Sequence, residues 1–316
     1  MFYGGVLAPN GKLYCIPYNS FYVMIIDPVS NTTDTTSLVG TWTGTRRWRG
    51  GVVANNGKIY CCPGSASCVL IIDPITNTLD LTSIPIVTEG GDRFFGSCLS
   101  PSGHIYHIPH NSSFVMVVDP STNAVTYLNT NLGSGGEKWI GGVLGRNGKI
   151  YGIPYKSGRL LEINPSTGTC LTIANALFTG VNPWFGGVMA GNGKIYGLPS
   201  HSATVLEIDT TVEPVTISSF GAVTTADAKW YHGALGANGN VYGVPMSSTF
   251  IISINPSTQN IDLITVSATT SKWIGCTLAP NGTIYCIPRS VPEILRIRTG
   301  LPKIQAWPLR PEFNKA

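Results

Sequence analysis

Short apolar runs alternate with polar turns along the whole chain, and residues 138–154 give a clear example. The run WIGGVL is followed by the turn RNG, which leads into a second run, KIYGI. Asn-Gly between two such runs is the strongest short signal for a β-hairpin. A β-branched run that ends in Asp-Pro or Asn-Pro comes next, and a weak Thr-rich run follows it. The pattern predicts four short strands, which we label a to d in chain order.

This four-strand pattern recurs seven times, in step with a turn glycine. Successive turn glycines are 46, 46, 45, 45, 46 and 43 residues apart. An aromatic residue stands nine positions before each glycine, a tyrosine three after it and a proline six after it. Four strands per repeat of roughly 45 residues predict an all-β protein, a seven-bladed β-propeller with four antiparallel strands per blade. The turn glycines are Gly11, Gly57, Gly103, Gly148, Gly193, Gly239 and Gly282, and the aromatic residues are Phe2, Trp48, Phe94, Trp139, Trp184, Trp230 and Trp273.

The repeats account for the whole chain, which predicts one propeller domain over residues 1–316. Ten residues precede the first turn glycine and 34 follow the last, together about one repeat. We therefore expect the seventh blade to take all four strands from the C-terminal end, so that the ring closes by side-chain packing without strand exchange. Glycine pairs such as Gly141-Gly142 would let seven inner strands approach the axis, and the aromatic residues would wedge between blades. The blades are expected to start near residues 1, 47, 93, 138, 183, 229 and 272.

The order of these motifs is similar to that of known propeller families. Strand a, a turn ending in glycine, KIYGIP and then VLIIDP resemble NHL and lactonase-like propeller repeats in all seven units. The tryptophan before strand a, with NGKIY after it, also resembles tectonin-type lectin propellers. The lactonase-like resemblance implies a divalent metal held in the central channel by acidic and amide side chains near the starts of inner strands. Strand a carries no acidic residue in any repeat, so we expect neither a metal nor another cofactor.

Composition excludes some partners. The fraction of charged residues is 11%, and 37 glycines and 22 prolines suit an all-β chain with many turns. A net charge of +4 is too small to argue for nucleic acid. No apolar run approaches the roughly 18 residues of a membrane span, and the first ten residues lack the pattern of a signal peptide. We expect no nucleic-acid partner and no membrane span.

The histidines, cysteines and aspartates are weak candidates for a metal or catalytic site. His104, His107 and His110 are three positions apart and cannot share a strand face, whose period is two. Cys62 and Cys68 form the nearest candidate disulfide pair, but no CxxC motif occurs among the eight cysteines. The recurring aspartates at the c–d turn are expected to cap their own turns. These aspartates are Asp27, Asp73, Asp119 and Asp209.

A row of cations immediately before the aromatic residue forms one candidate ligand-binding site. In a propeller the d–a and b–c loops share a face, so these cations would ring the channel mouth and attract an anion. Nearby acids such as Asp92 and Glu137 would weaken the ring. In the alternative interpretation, the stems cover the tryptophan faces and make cation–π contacts. The cations are Arg47, Arg93, Lys138, Lys229 and Lys272.

The b–c loops supply the other candidate ligand-binding residues. Their tips vary in sequence while the repeat around them is constant, and variable tips on a constant frame commonly carry recognition. Ordinary loop drift would look similar. The candidates from these loops are Tyr18, His110, Tyr155, His201 and Arg289.

Regular repeats without a nucleophile motif, an acid pair or a phosphate loop favour a non-enzymatic binding module. We expect its ligand, a glycan or a protein and possibly anionic, on the face formed by the d–a and b–c loops. The alternatives are a channel-centred hydrolase or lyase of the lactonase-like type, and a structural component of a surface layer or particle. Sequons at Asn31, Asn111 and Asn281 permit glycosylation, and an extracellular or surface-exposed location is slightly favoured.

Overall fold

Seven four-stranded antiparallel sheets form a β-propeller in a computed structural model of the chain. The structure describes residues 1–86, 90–129, 132–133, 135–180, 182–224, 228–266 and 272–300, and the backbone of 303–308. Within this described part, no helix has the length and apolarity to cross a membrane. The predicted all-β fold of seven blades is confirmed.

Each blade consists of four consecutive strands. Strand a lies at the central channel, and strands b, c and d follow in order toward the outer edge. The a strands are β1 (Phe2–Leu7), β5 (Trp48–Val53), β9 (Phe94–Leu99), β13 (Trp139–Leu144), β17 (Trp184–Met189), β21 (Trp230–Leu235) and β25 (Trp273–Leu278). The b strands are β2 (Leu13–Pro17), β6 (Ile59–Pro63), β10 (Ile105–Pro109), β14 (Ile150–Pro154), β18 (Lys194–Pro199), β22 (Val241–Pro245) and β26 (Thr283–Pro288). The c strands are β3 (Met24–Asp27), β7 (Ile71–Asp73), β11 (Phe114–Asp119), β15 (Arg159–Asn164), β19 (Val205–Asp209), β23 (Phe250–Ile254) and β27 (Glu293–Arg298). The d strands are β4 (Thr32–Asp34), β8 (Thr78–Asp80), β12 (Ala124–Asn129), β16 (Thr169–Ala174), β20 (Thr216–Phe220), β24 (Ile261–Thr265) and β28 (Lys303–Pro308).

The ring closes without strand exchange, as predicted. The first sheet has the order β1-β2-β3-β4 and the last the order β25-β26-β27-β28. Side chains join these two blades. Asn281 Nδ2 donates to Pro28 O at 3.2 Å, and the Thr277 hydroxyl donates to Gly5 O. Asn10 makes the same type of contact from blade 1 to Pro74 of blade 2, at 3.2 Å.

The cores lie between adjacent blades, and the repeated aromatic residue is a buried member of each. Trp139 of blade 4, for example, packs with Ile108 of blade 3 and Leu161 of its own blade. Phe2 packs with Tyr285 and Ile287 of blade 7, so apolar burial also holds the first and last blades together. The c–d turns are capped as expected.

Asp73 illustrates these caps. Its Oδ1 accepts hydrogen bonds from the backbone N–H groups of Ile75 at 2.9 Å and Thr76 at 3.2 Å. Asp27 makes the equivalent bonds to Val29 and Ser30 in blade 1. These aspartates therefore shape turns at the edge of the blades.

Candidate functional site

Every a strand carries a bulge directly after its aromatic residue. In blade 4, Trp139 pairs with Pro154 while Gly142 pairs with Gly152, so one residue is in excess on β13. Gly141 takes φ 75° at this bulge, a left-handed conformation that glycine adopts without steric cost. A bulge changes the direction of the neighbouring side chain. Here it directs Ile140 to the channel axis, where Ile140 packs against residues of other blades.

The residue directly after the repeated aromatic, which is Ile140 in blade 4, contributes in each of the seven blades to the floor of a cavity at the channel mouth. Their identity changes from blade to blade, but most are large and apolar. Phe185 and Tyr231 stack with ring centroids 3.7 Å apart and an interplanar angle of 6°. Phe95 meets Phe185 edge to face at 5.5 Å. The floor residues are Tyr3, Arg49, Phe95, Ile140, Phe185, Tyr231 and Ile274.

The walls of this cavity come from the b–c and d–a loops. Tyr18, His110, Tyr155 and Arg289 follow the b strands of blades 1, 3, 4 and 7, and Glu137 precedes β13. With the floor they line a cavity of about 160 Å³ that is open to solvent at the channel mouth, which we call the mouth cavity. Four of the five predicted b–c loop candidates therefore meet at one site.

The fifth candidate, His201, does not line the mouth cavity. Its Nδ1 lies 3.1 Å from Asn182 O and 3.0 Å from the Ser200 hydroxyl. These contacts hold the ring between its own b–c loop and the d–a loop that precedes β17.

Arg49 is the polar member of the floor. Its guanidinium carbon lies 5.6 Å from the Tyr3 ring centroid, 5.3 Å from that of Tyr18 and 4.7 Å from that of Phe95. Asp92 Oδ1 accepts from Nη2 at 2.7 Å and from Nε at 3.1 Å. Burial alone would lower the pKa of Arg49, but Tyr3, Tyr18 and Asp92 together raise it. The arginine is thus held as a cation among aromatic rings.

The wall residues are hydrogen bonded in ways that fix their rings. His110 Nδ1 donates to Trp139 O at 3.1 Å, and burial lowers the pKa of His110 to about 4, so the ring is neutral near pH 7. The hydroxyls of Tyr155 and Tyr231 lie close enough to affect each other's pKa. Burial raises the pKa of both phenols. Glu137 forms an ion pair with Lys156 at the rim.

Backbone hydrogen bonds join the loops around the mouth into a continuous frame. Lys138 N donates to His110 O at 2.8 Å, Tyr155 N donates to Lys138 O at 2.9 Å, and Asn182 N donates to Tyr155 O at 3.1 Å. The same alternation of d–a and b–c loops occurs in other blades. A site built on such a frame is pre-organised, which lowers the entropic cost of binding.

The channel beneath the floor holds His232. This residue occupies the bulge position that is glycine in the other six blades, and it takes φ 61°. Its ring lies against Phe95, Phe185 and Tyr3, with centroids 6.0, 5.2 and 6.4 Å away. A Cβ added to Gly186 would come within 2.4 Å of His232 Nδ1, so the imidazole fills space that a glycine leaves open. Burial lowers the pKa of His232 to about 4.

The five predicted cations do not form an exposed ring at the mouth. All are buried, with exposed fractions from 0% for Lys272 to 7% for Arg93 and Lys138. Lys229 Nζ donates to the carbonyl oxygens of Ser200 and Ser202, both at 3.0 Å. The ammonium groups of three of them also lie over the neighbouring indole rings, 5.7 Å from the centroid of Trp139 for Lys138, 5.9 Å from Trp230 for Lys229 and 5.6 Å from Trp273 for Lys272.

The arginines of the row follow the same pattern. Arg47 donates to Gly44 O and Ser20 O, and Arg93 donates to Gly90 O and Ala66 O. The expected exposed charge ring is therefore corrected by the structure. The positively charged groups donate to loop carbonyls at equivalent places in five blades, which explains why the cation repeats.

The floor is the part of the site that the sequence analysis missed. A signal was present, because a large residue directly follows the repeated aromatic in all seven blades. His232 was also overlooked, although it replaces a glycine that six blades share.

The histidines, cysteines and acidic residues of the described part of the chain are dispersed. Among the described residues, no three His, Cys, Asp or Glu side chains come together in a group that could hold a metal ion. Cys62 and Cys68 are free thiols in this structure, and Cys62 Sγ lies 3.3 Å from Gly96 O. The groups that line the mouth cavity are thus aromatic faces, hydroxyls, guanidinium donors, the neutral His110 ring and the Glu137 carboxylate.

Fold and site together define a seven-bladed propeller with an aromatic-lined mouth. No protein-family model and no curated protein matches the sequence. Solved structures match in fold, among them a streptogramin B lyase with a TM-score of 0.76 and 14% identity, over 91% of this chain and 90% of that chain. A catalytically inactive virginiamycin B lyase from Staphylococcus aureus with quinupristin matches with a TM-score of 0.70 and 13% identity, over 83% and 84% of the two chains.

A third match is the extracellular domain of a B. thetaiotaomicron protein described as a one component system. Its TM-score is 0.69 and its identity 12%, over 96% of this chain and 41% of that chain. At these identities the likeness establishes the propeller fold, and the resemblance to lactonase-like propellers is confirmed as one of fold.

Proposed function

We propose that this protein is a binding module whose ligand docks in the mouth cavity, on the face formed by the d–a and b–c loops. The observation that carries the proposal is the convergence of aromatic rings from several blades around one cavity. Aromatic side chains with polar tips supply large contact area at low conformational cost, and they are enriched in recognition sites. The ligand class is a glycan or a protein segment that presents one group to the cavity.

The polar groups of the cavity favour binding over catalysis. Among the described lining residues, the carboxylate is that of Glu137, which is paired with Lys156 at the rim. Arg49, Tyr18, Tyr231 and Arg289 present donors. A hydrolase or lyase is the alternative, but lyase neighbours at 14% identity or less carry no reaction over to this chain.

The test compares ligand binding by variants inside and outside the cavity. Wild-type protein is screened on a glycan array and against a small-fragment library by saturation-transfer NMR. Tyr155→Ala is expected to weaken a genuine ligand about fivefold or more, because a stacking ring contributes about 1–3 kcal/mol. Leu171→Ala removes a side chain that is 60% exposed on an outer strand, and it serves as the control.

Ligands that bind wild type and both variants equally would show that recognition occurs elsewhere on the protein. That result would overturn the proposal. A catalytic reading would instead require turnover of a ligand during the NMR experiment, seen as new product signals.

A further inference from the structure

The mouth cavity has two chemically different sides. This inference rests on the proposed function and asks what kind of group the cavity accepts. One side, formed by blades 7, 1 and 2, carries Arg289, Tyr3, Tyr18 and Arg49. The other side, formed by blades 4 to 6, carries the rings of Tyr155, Phe185 and Tyr231. A ligand that satisfies both sides must itself have an anionic end and a flat apolar surface.

On the side formed by blades 7, 1 and 2, the arginine side chains outnumber the carboxylates that pair with them. Asp92 already pairs with Arg49 at 2.7 Å and with Arg46 at 3.2 Å. Arg289 differs, because no carboxylate of the described residues lies within ion-pair distance of it. Its described contact is from Nη1 to the Met246 sulfur at 3.3 Å, a weak acceptor. Arg289 can therefore offer its guanidinium fork to a ligand.

The two guanidinium groups act on a common region of the cavity. Burial raises the pKa of Tyr3, and the charges of Arg49 and Arg289 act on it in the opposite direction. The Tyr3 phenol thus lies within the field of both cations. An anion that replaces solvent at this point would gain from both charges, and the surrounding rings reduce the screening by water.

The aromatic side and the cavity size determine the shape and size of the apolar part of the ligand. The stacked pair of Phe185 and Tyr231 meets the Tyr155 ring, whose centroid is 5.6 Å from that of Phe185. The cavity volume of about 160 Å³ is close to that of an apolar cavity that holds one benzene molecule, roughly 150 Å³. It is below the 300 Å³ or so at which drug-sized ligands are enclosed. The cavity accommodates one six-membered ring.

We propose that the mouth cavity binds a single six-membered ring that carries a carboxylate. The carboxylate pairs with Arg289 and lies within the field of Arg49 at the floor, while the ring face packs on Tyr155, Phe185 and Tyr231. A monoanion fits better than a phosphate dianion, since one guanidinium group is left without a described carboxylate. The ring can come from a uronic-acid sugar or from an aromatic acid, because both present C–H or π faces next to a carboxylate.

Two matched probe pairs test the proposal by saturation-transfer NMR and calorimetry on the full chain. The sugar pair is methyl glucuronoside and methyl glucoside, and the aromatic pair is phenylacetate and phenylacetamide. In at least one pair the acid is expected to bind about tenfold or more tightly than its neutral partner, which is the effect of one charge-assisted hydrogen bond. The pair that shows the difference identifies the source of the ring.

Variants then locate the effect. Arg289→Gln is expected to remove the preference for the acid, and Arg289→Lys to keep part of it. Arg298→Gln, an exposed arginine on β27 of the same blade, should leave the preference unchanged. Binding of the acid should also weaken from low salt to physiological salt, where the Debye length is about 8 Å.

Equal binding of acid and neutral partner, lost in Tyr155→Ala, would overturn the carboxylate inference and leave the binding function standing. Failure of all four probes at millimolar concentration would also overturn it, since a Kd of 1 mM requires only about 4.1 kcal/mol of binding free energy. The proposed function fails separately, when ligands found on the array or in the fragment screen are unaffected by Tyr155→Ala.

Discussion

Replacement of Lys229 by methionine is expected to lower the free energy of unfolding by about 1–3 kcal/mol, because it removes a buried hydrogen-bond donor. Lys229 is 2% exposed, and its Nζ donates to Ser200 O and Ser202 O. Methionine keeps most of the aliphatic stem over Trp230. The substitution therefore isolates the contribution of the charged group.

The expected change in the free energy of unfolding follows from the two carbonyl oxygens that lose the Lys229 ammonium as a donor. Ser200 O keeps a partner, because it also accepts from Lys229 N at 3.2 Å. Ser202 O loses the donor that the structure assigns to it, and a buried unsatisfied carbonyl costs about 1–3 kcal/mol. Loss of the cation–π contact adds about 0.5–1 kcal/mol, and the end of ammonium burial offsets part of the total loss.

Thermal and urea unfolding measure the difference, with Lys58→Met as the control. The Lys58 side chain is 45% exposed and lies 3.4 Å from Asp73, an ion-pair geometry whose loss costs at most about 1 kcal/mol. A Lys229→Met protein within about 0.5 kcal/mol of wild type, with weakened anion binding, would refute the buried arrangement. That outcome would support the exposed ring of cations instead.

Two further changes test the seam and a buried histidine. Asn281→Ala should accelerate hydrogen exchange in blades 7 and 1, which are joined by side-chain contacts. Asn10→Ala, at the equivalent contact between the consecutive blades 1 and 2, should have a smaller effect. Equal effects would show that the contact between blades 7 and 1 is no weaker than the other blade contacts. Burial lowers the pKa of His107 to about 3, so the unfolded state takes up the proton first, and this residue should contribute about 1.4 kcal/mol per pH unit to the fall in stability as pH drops below 6.5, beside the contributions of His110 and His232. His107→Cys, with the residue found in that slot in blades 1, 2 and 7, should reduce the slope by about 1.4 kcal/mol per pH unit in urea titrations between pH 6.5 and 4.5, and an unchanged slope would contradict the assignment to His107.

The architecture was predictable because the same physical demand is met seven times. A turn needs a glycine, a blade interface needs an aromatic wedge, and the repeat of Gly148, Trp139 and their equivalents makes both visible without an alignment. The prediction that blade 7 consists of the consecutive strands β25 to β28 came from the number of residues before the first turn glycine and after the last one. Repetition averages out the local ambiguity that limits single-strand predictions.

The mouth was harder to predict because recognition residues differ between blades. Tyr3, Arg49 and Ile140 share a position but not a chemistry, so no repeated letter marks them. Their direction depends on a bulge, which the sequence signals only through a glycine with positive φ. The repeated cations were conspicuous for the opposite reason. Lys229 and its equivalents recur because the loops of these blades have carbonyls that need hydrogen-bond donors. A feature that recurs in most blades more often has a structural role than a ligand-binding one.

Contiguous blades have a consequence for how such a protein can change over evolutionary time. Since each sheet of β1–β4 type is encoded by one uninterrupted stretch, duplication of that stretch copies a complete structural unit. Each unit then contributes one floor position to the shared cavity, such as Tyr3 or Arg49. A single codon at that position can alter one sector of the cavity while the other six sectors, and the hydrogen-bonded frame around them, stay as they were. Ligand preference can in this way diverge between descendants without any change in strand register.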